Sequence, residues 1–222
     1  MVVDKERQFE IEIQEYLNAG KSVIASSSFQ TQSMPLLHLI SRFCPDIPIY
    51  FLDTGYHFPE TLQYRDEVTE ALGLNVETLR SAIPMVQQVT SDGRLLFTSD
   101  PDRCCAFNKT LPMERVLAEH DIWITGVRRD QSKTRASMSK EAPGPYGVKR
   151  YHPMLEWDRS SIWQYIAQHK LPKHPLHEQG YISVGCKPCT AAPSPDGIER
   201  SGRWSGMAKT ECGLHTDLAK SK

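Results

Sequence analysis

A lopsided charge is missing from this chain. Its 222 residues carry 26 Lys and Arg against 27 Asp and Glu, a formal net charge of −1. No global field therefore draws it to nucleic acid, and an anionic ligand must be held by a local cluster of Arg and Lys. Long apolar runs are missing as well. No stretch approaches the roughly 20 residues needed to span a bilayer. The N-terminus, Met1-Val2-Val3-Asp4-Lys5-Glu6-Arg7, places charges where a secretory signal needs an apolar run. The expectation is a cytoplasmic protein with no membrane contact. Cysteine is sparse, since six in 222 residues are too few for a disulfide scaffold. There is no internal repeat and no low-complexity segment. At 39% hydrophobic and 24% charged residues, the chain can bury one sizeable core.

What is present is an alternation of strands and helices. Phe9, Ile13, Tyr16 and Leu17 share one face of a helix over residues 6–17. A short buried strand over 21–25 follows, then Ser26-Ser27-Ser28-Phe29-Gln30 and a helix over 33–42. Residues 47–52 read as a second buried strand ending in Asp53-Thr54-Gly55. A helix over 58–72 stops at Gly73. Residues 75–79 and 121–127 read as further strands, and a helix over 158–169 is capped by Asp158. This order predicts an α/β fold with a mostly parallel sheet covered by helices on both faces. Past Lys170 the pattern fades. Pro172, Pro175, Gly180, Gly185, Pro188, Pro193, Pro195 and Gly197 punctuate a long loop-rich segment, which something other than regular structure must hold. The predicted organisation is one α/β domain over 1–204 and a mobile tail over 205–222.

Three groups of residues carry chemistry. Ser26, Ser27 and Ser28 lie between the first strand and a helix start, where backbone N–H groups and hydroxyls can face an anion. Asp53 and Gly126 end strands, the places where α/β sheets meet ligand. Gly126-Val127-Arg128-Arg129-Asp130-Gln131-Ser132, with Arg135 close behind, offers guanidiniums suited to phosphate or sulfate. The third group is cysteine. Cys104 and Cys105 are adjacent, and Cys186 and Cys189 form a Cys-x-x-Cys. Four thiolates suit a zinc site or a [4Fe-4S] cluster. A zinc knuckle, a redox disulfide and four unrelated thiols remain alternatives. Cys44 reads as a small buried apolar residue. Cys212 stands near the chain end, with Lys209 and His215 close enough in sequence to favour its thiolate if His215 is protonated. Gly213 allows a sharp bend beside it, and a terminal segment can be mobile.

These motifs resemble those of the assimilatory sulfonucleotide reductases, the thioredoxin-dependent reductases of adenylyl sulfate (APS) and its 3′-phosphorylated form (PAPS). The resemblance covers nearly the whole chain. It runs through Ser26-Ser27-Ser28-Phe29, Leu52-Asp53-Thr54-Gly55 and Gly126 to Ser132. It continues in His174-Pro175-Leu176, residues 180–185 and Arg200-Ser201-Gly202-Arg203-Trp204, and ends in Glu211-Cys212-Gly213-Leu214-His215. It implies an adenine nucleotide alpha-hydrolase-like, pyrophosphate-loop fold. Members with the four extra cysteines look like the APS type and carry one [4Fe-4S] cluster, here on Cys104, Cys105, Cys186 and Cys189. The implied reaction is reduction of APS to sulfite and AMP through a cysteine S-sulfonate on Cys212, within sulfate assimilation and cysteine biosynthesis. Thioredoxin, or a glutaredoxin-like donor, releases the sulfite. Lys109 and His215 are implied at the reacting centre. Ser26, Ser27 and Ser28 match the phosphate loop, and Arg128, Arg200 and Arg203 the phosphosulfate grip. A homo-oligomer is compatible with this picture.

Three other readings stand beside this one. The same chemistry on PAPS is the nearest. An ATP-using pyrophosphate-loop enzyme lacks support, because the loop has no Ser-Gly-Gly-x-Asp-Ser signature. The third is a zinc-stabilised nucleotide-binding module. Gln30 departs from the family, whose loop often has Gly there. If that position requires positive φ, Gln30 is strained.

Overall fold

The sheet grows outward from β1 (Val23–Ser26), whose first three residues are buried. Parallel neighbours flank it on both sides: β2 (Ile49–Asp53) and β4 (Ile122–Thr125). β3 (Val76–Arg80) adds to β2 in parallel, and β6 (Lys149–Tyr151) adds to β4 in parallel. β5 (Glu141–Pro143) runs antiparallel along β6, giving the order β3-β2-β1-β4-β6-β5. In this computed structural model the described residues are 2–191, 200–207, 209, 211–216 and 218. Pro193, Pro195 and Gly197 of the loop-rich segment, and residues 219–222 of the expected tail, lie outside them.

The central strands read as continuous apolar runs because both faces are covered. Alternate residues go to opposite sides. Val23, Ala25, Ile49, Phe51, Ile122 and Ile124 pack with α1 (Val2–Asn18), α2 (Met34–Phe43) and α8 (Arg159–Gln168). Ile24, Tyr50, Leu52 and Trp123 face the other way, onto Met113 and Leu117 of α6 (Leu111–Leu117) and onto Leu218 near the chain end. α3 (Pro59–Leu72) starts with Pro59, whose fixed φ suits a first helical turn, and ends where Gly73 takes φ 61°.

Most expected elements form within a few residues of their predicted bounds. β4 is shorter than expected and ends at Thr125, so Gly126 and Val127 belong to the loop after it. The β5–β6 ladder was not anticipated, because each strand has three residues and too little length to show a period. The stretch before β4 also escaped the pattern. It holds the short helices α4 (Leu96–Ser99) and α5 (Pro101–Cys105), then a π-helical turn, Ala106–Thr110, leading into α6. Such turns insert one residue per turn and re-aim the side chains around them.

Candidate active site

The strand order reverses between β1 and β4, whose last residues, Ser26 and Thr125, are register partners. Loops leaving such a pair diverge and open a crevice. The crevice here is a cleft of about 970 Å³, counting the part open to solvent. That is within the roughly 300–1,000 Å³ of small-molecule sites. Ser26, Ser27 and Ser28 line it from the β1 side and Gly126 from the β4 side. Ser27 Oγ accepts the Phe29 N–H at 3.1 Å and closes a tight turn. Within that turn Phe29, fully buried, takes φ 50°. Gln30 is extended at φ −85°, and its side chain accepts the Val184 N–H at 3.2 Å. The anticipated strain at Gln30 is therefore absent. The left-handed position falls on Phe29, and Gln30 ties the loop to the segment carrying the second cysteine pair.

The cleft's far wall is cationic. Arg200, Arg203 and Lys109 line it, together with Cys212 and His215. Arg203 is laid flat on Gly185, where an added Cβ would meet Cζ at 2.5 Å and Nη1 at 2.8 Å. The Trp204 ring packs against it, its centre 4.5 Å from Cζ. The loop-rich segment is held by short-range pairing between its two described parts. Ala191 N donates to Gly202 O at 2.7 Å, Trp204 N to Cys189 O at 3.0 Å, and Thr190 bridges Arg203. Lys187 N donates to Tyr56 O at 2.7 Å and pins this segment to the loop after β2.

Behind Lys109 lies a second, smaller cavity, onto which Cys104, Cys105, Cys186 and Cys189 all converge. Cys104 and Cys105 come from α5, and Lys109 from the π-helical turn after it. Thr54 Oγ1 and Cys186 Sγ share a hydrogen bond of 3.2 Å, and Asn108 Nδ2 points at Cys104 Sγ at 3.6 Å. Polar hydrogens aimed at sulfur suit thiolate ligands. Burial pushes the Cys104 thiol up to about 11, and nearby Cys186 adds to it. Among the described residues no three His, Cys, Asp or Glu side chains are gathered as the ligands of a single metal ion. All four cysteines are nonetheless buried and share one cavity, and none is in a disulfide. In kind and number they suit a thiolate-bound iron–sulfur group, which spreads its ligands wider than one ion does.

Cys212 is half-buried between the two cavities. Its pKa is drawn well below the ordinary thiol value, by a hydrogen bond with Cys105 first and then by Lys109, the Leu214 backbone and Arg203, against the opposing effect of burial. The same hydrogen bond raises Cys105. Burial works against the Lys109 ammonium, but Cys186, Cys212 and Cys105 outweigh it and hold the charge. Lys109 is thus the foremost cation acting on Cys212. Lys209 pairs with Asp102 and lies close enough to Cys105 and Cys212 for both sulfurs to favour its charge. His215 is held neutral by burial and by Arg135, so it is no imidazolium.

Two expected contacts are not made in the cleft. Arg128 does not line it; its guanidinium, 1% exposed, bonds Asp130 Oδ1 at 3.0 Å and the Gln32 side chain. A carboxylate two residues away and an amide from the loop before α2 capture it first. Asp53 accepts from Gly55 N at 3.0 Å and Arg80 Nε at 2.9 Å, and braces the end of β2. Among the other residues that line the cleft are Arg135, from the expected set of guanidiniums, and Glu211. Glu211 abuts Cys212, but no sequence signal paired it with a residue 76 positions away.

The model of the phosphoadenosine phosphosulfate reductase domain matches residues 22–192. An adenosine 5′-phosphosulfate reductase of Rhodococcus opacus is 41% identical over 81% of this chain and 73% of its own length. A phosphoadenosine 5′-phosphosulfate reductase of Gloeobacter violaceus is 40% identical over 88% of this chain and 83% of its own. Among solved structures, the phosphoadenylyl-sulfate reductase of Candida auris superposes with a TM-score of 0.69 at 21% identity, over 81% of this chain and 88% of that one. The FMN adenylyltransferase of Candida glabrata does so at 0.62 and 13% identity, over 100% of this chain and 76% of that one. These two likenesses concern the fold, which is the expected adenine nucleotide alpha-hydrolase-like one. Among the described residues no helix is long and apolar enough to cross a membrane. By the match over most of its length and the identity to these relatives, the chain belongs to the phosphoadenosine phosphosulfate reductase family.

Proposed function

We propose that this protein reduces adenylyl sulfate to sulfite and AMP, with Cys212 as the nucleophile. The observation that carries the reading is one cleft that brings together a hydroxyl-rich phosphate loop, four cations and a thiol favoured as thiolate. Ser26, Ser27 and Ser28 receive the nucleotide's phosphate end, and Lys109, Arg200 and Arg203 receive the phosphosulfate. The Cys212 sulfur attacks the sulfate sulfur. The bond to the bridging oxygen breaks, AMP leaves with the electron pair, and a cysteine S-sulfonate remains. The cations stabilise the charge growing on the departing oxygens. A thioredoxin-type dithiol then attacks the Cys212 sulfur and expels sulfite. Its second thiol resolves the mixed disulfide, so the dithiol supplies both electrons. His215, neutral beside the reacting centre, serves as a hydrogen-bonding group.

Cys104, Cys105, Cys186 and Cys189 would hold one [4Fe-4S] cluster, whose contribution is to anchor the loop-rich segment and to place charge near the cleft. Cys105, once a ligand, has no proton to donate to Cys212. Lys109, Arg203 and the Leu214 backbone then carry the thiolate preference. A cytoplasmic location and a tail that swings between cleft and donor fit the same reading.

The Gloeobacter relative favours a second reading, the same chemistry on the 3′-phosphorylated nucleotide. Competition binding of the two nucleotides separates the two. The test of the reaction itself is to mix enzyme with adenylyl sulfate and no thiol. One AMP per site, then arrest, is expected, with one added sulfonate on the peptide containing Cys212. An adduct on another cysteine, or normal turnover of Cys212→Ser, overturns the assignment. A colourless protein with stoichiometric zinc points instead to the zinc-stabilised module.

A further inference from the structure

Glu211, the residue before the thiol, is deeply enclosed, with a side chain 3% exposed. Arg135, itself 7% exposed, grips both of its oxygens, Nε to Oε2 at 2.9 Å and Nη2 to Oε1 at 2.8 Å. Arg200 reaches only Oε1, through Nη2 at 3.0 Å. Oε1 also accepts the Cys212 backbone N–H at 3.0 Å, so the carboxylate fixes the backbone of the reactive residue directly. Arg135 is in turn braced. It sits in the four-residue helix α7 (Lys133–Ala136), capped by Ser132 Oγ, which accepts the Arg135 N–H at 3.3 Å. Gln131 Oε1 binds Arg135 Nη1 and accepts the Arg128 N–H at 3.1 Å. Beyond the clasp, Leu218 is buried in the second core.

The two arginines are thus unequal. Arg135 makes the planar, two-point contact that only a guanidinium makes, whereas Arg200 makes a single contact at one oxygen. An anion entering the cleft competes for Arg200 at the loss of one bond and leaves the two-point grip intact. We propose that Arg135 is the positioning residue of this site: through Glu211 it clasps the segment carrying Cys212 over the cleft, and so frees Arg200 to be handed from Glu211 to the substrate anion. This rests on the reading of Cys212 as nucleophile and Arg200 as an anion ligand, but the clasp itself is testable without either.

The experiment compares Arg135→Gln, Arg135→Lys, Glu211→Gln and the Arg135→Gln/Glu211→Gln double variant in the holoprotein. The first readout is the rate of Cys212 alkylation by iodoacetamide, with hydrogen exchange of the peptide spanning 211–216. A clasp predicts at least a fivefold rise in both for Arg135→Gln and Glu211→Gln, a smaller rise for Arg135→Lys, and a double variant no worse than the singles. The second readout is adenylyl sulfate. Affinity measured in a Cys212→Ser background should change less than threefold, while the single-turnover rate of AMP release with Cys212 present falls at least tenfold. Unchanged alkylation and exchange in Arg135→Gln and Glu211→Gln overturn the clasp. So does a large loss of affinity in Arg135→Gln with an undisturbed tail, which makes Arg135 a substrate contact. Should the parent protein release no AMP, the proposed reaction fails, and alkylation and exchange still decide the clasp.

Discussion

Replacing Gly185 by Ala should disarm the cleft without touching any charge. Gly185 is where the Arg203 guanidinium rests, and an Ala Cβ would lie 2.5 Å from Cζ, well inside the 3.4 Å at which ordinary contact begins. The guanidinium must therefore retreat by about 1 Å, and a misplacement of about that size can cost a hundredfold in rate. The hydrogen bonds of Arg203, to Cys189 O at 3.4 Å and Val184 O at 3.5 Å, are long and hold it weakly, so the guanidinium is aimed mainly by its packing on Gly185 and Trp204. A charge-assisted hydrogen bond contributes about 1.5–3 kcal/mol. Misaiming it should lower affinity for adenylyl sulfate by about ten- to a hundredfold, close to Arg203→Ala and never beyond it. The assay is calorimetric titration in a Cys212→Ser background, which prevents turnover, with iron content and thermal midpoint as controls. An affinity within twofold of the background for Gly185→Ala, alongside a tenfold loss for Arg203→Ala, would refute the claim that this glycine aims the arginine.

Acid should unfold the protein through two buried histidines. His152, fully buried on Thr125 Oγ1, and His174, 1% exposed on Thr61 Oγ1, are both drawn down to about 4, first by burial. Each stays neutral in the folded chain while the unfolded chain takes up a proton below about 6.5. Stability then falls as pH drops from about 6.5 to 4, by up to about 3 kcal/mol per histidine. The thermal midpoint of the His152→Gln/His174→Gln variant should fall less over that interval, and an identical fall in both proteins contradicts the assignment. The cysteines should divide by cavity. Cys189→Ser should lose iron, whereas Cys44→Ser, whose thiol burial pushes up to about 12 in the helical core, should keep it. Equal iron loss in both would remove the distinction.

How legible the site was depends on the distance over which its parts communicate. Ser26 to Ser28, Lys109, Gly126, Arg200, Arg203, Cys212 and His215 were named from strand ends and motifs, and the structure gathers them along one cleft. Arg128 is not among the residues lining the cleft, and a local sequence cannot tell an arginine aimed at a ligand from one bonded to Gln32, which is 96 positions away. Arg135 is legible as one of a set of guanidiniums and Glu211 as part of the terminal motif, but their pairing is not, since it exists only once the tail has folded back. The electrostatics of Cys212 were legible only in part. Lys209, near it in sequence, shares its charge between Asp102 and the sulfurs, and Lys109, 103 positions away, acts on Cys212 more strongly.

The sequence by itself determined the architecture. Apolar runs of four or five residues, each alternating with an amphipathic helix, suit a parallel sheet covered on both faces, and Pro59 and Gly73 bound α3 through backbone sterics that act over single residues. It also supplied the chemical inventory of four cysteines, a separate thiol and a set of cations. Tertiary structure alone decided which of those groups act together. The reversal of strand order at β1 and β4 opened the cleft, the π-helical turn placed Lys109 between cleft and cysteines, and the folded-back tail set Glu211 on Arg135. Charge and hydrogen-bond partners are chosen by proximity in space within a few ångströms, and the chain brings those partners together only when its core is complete.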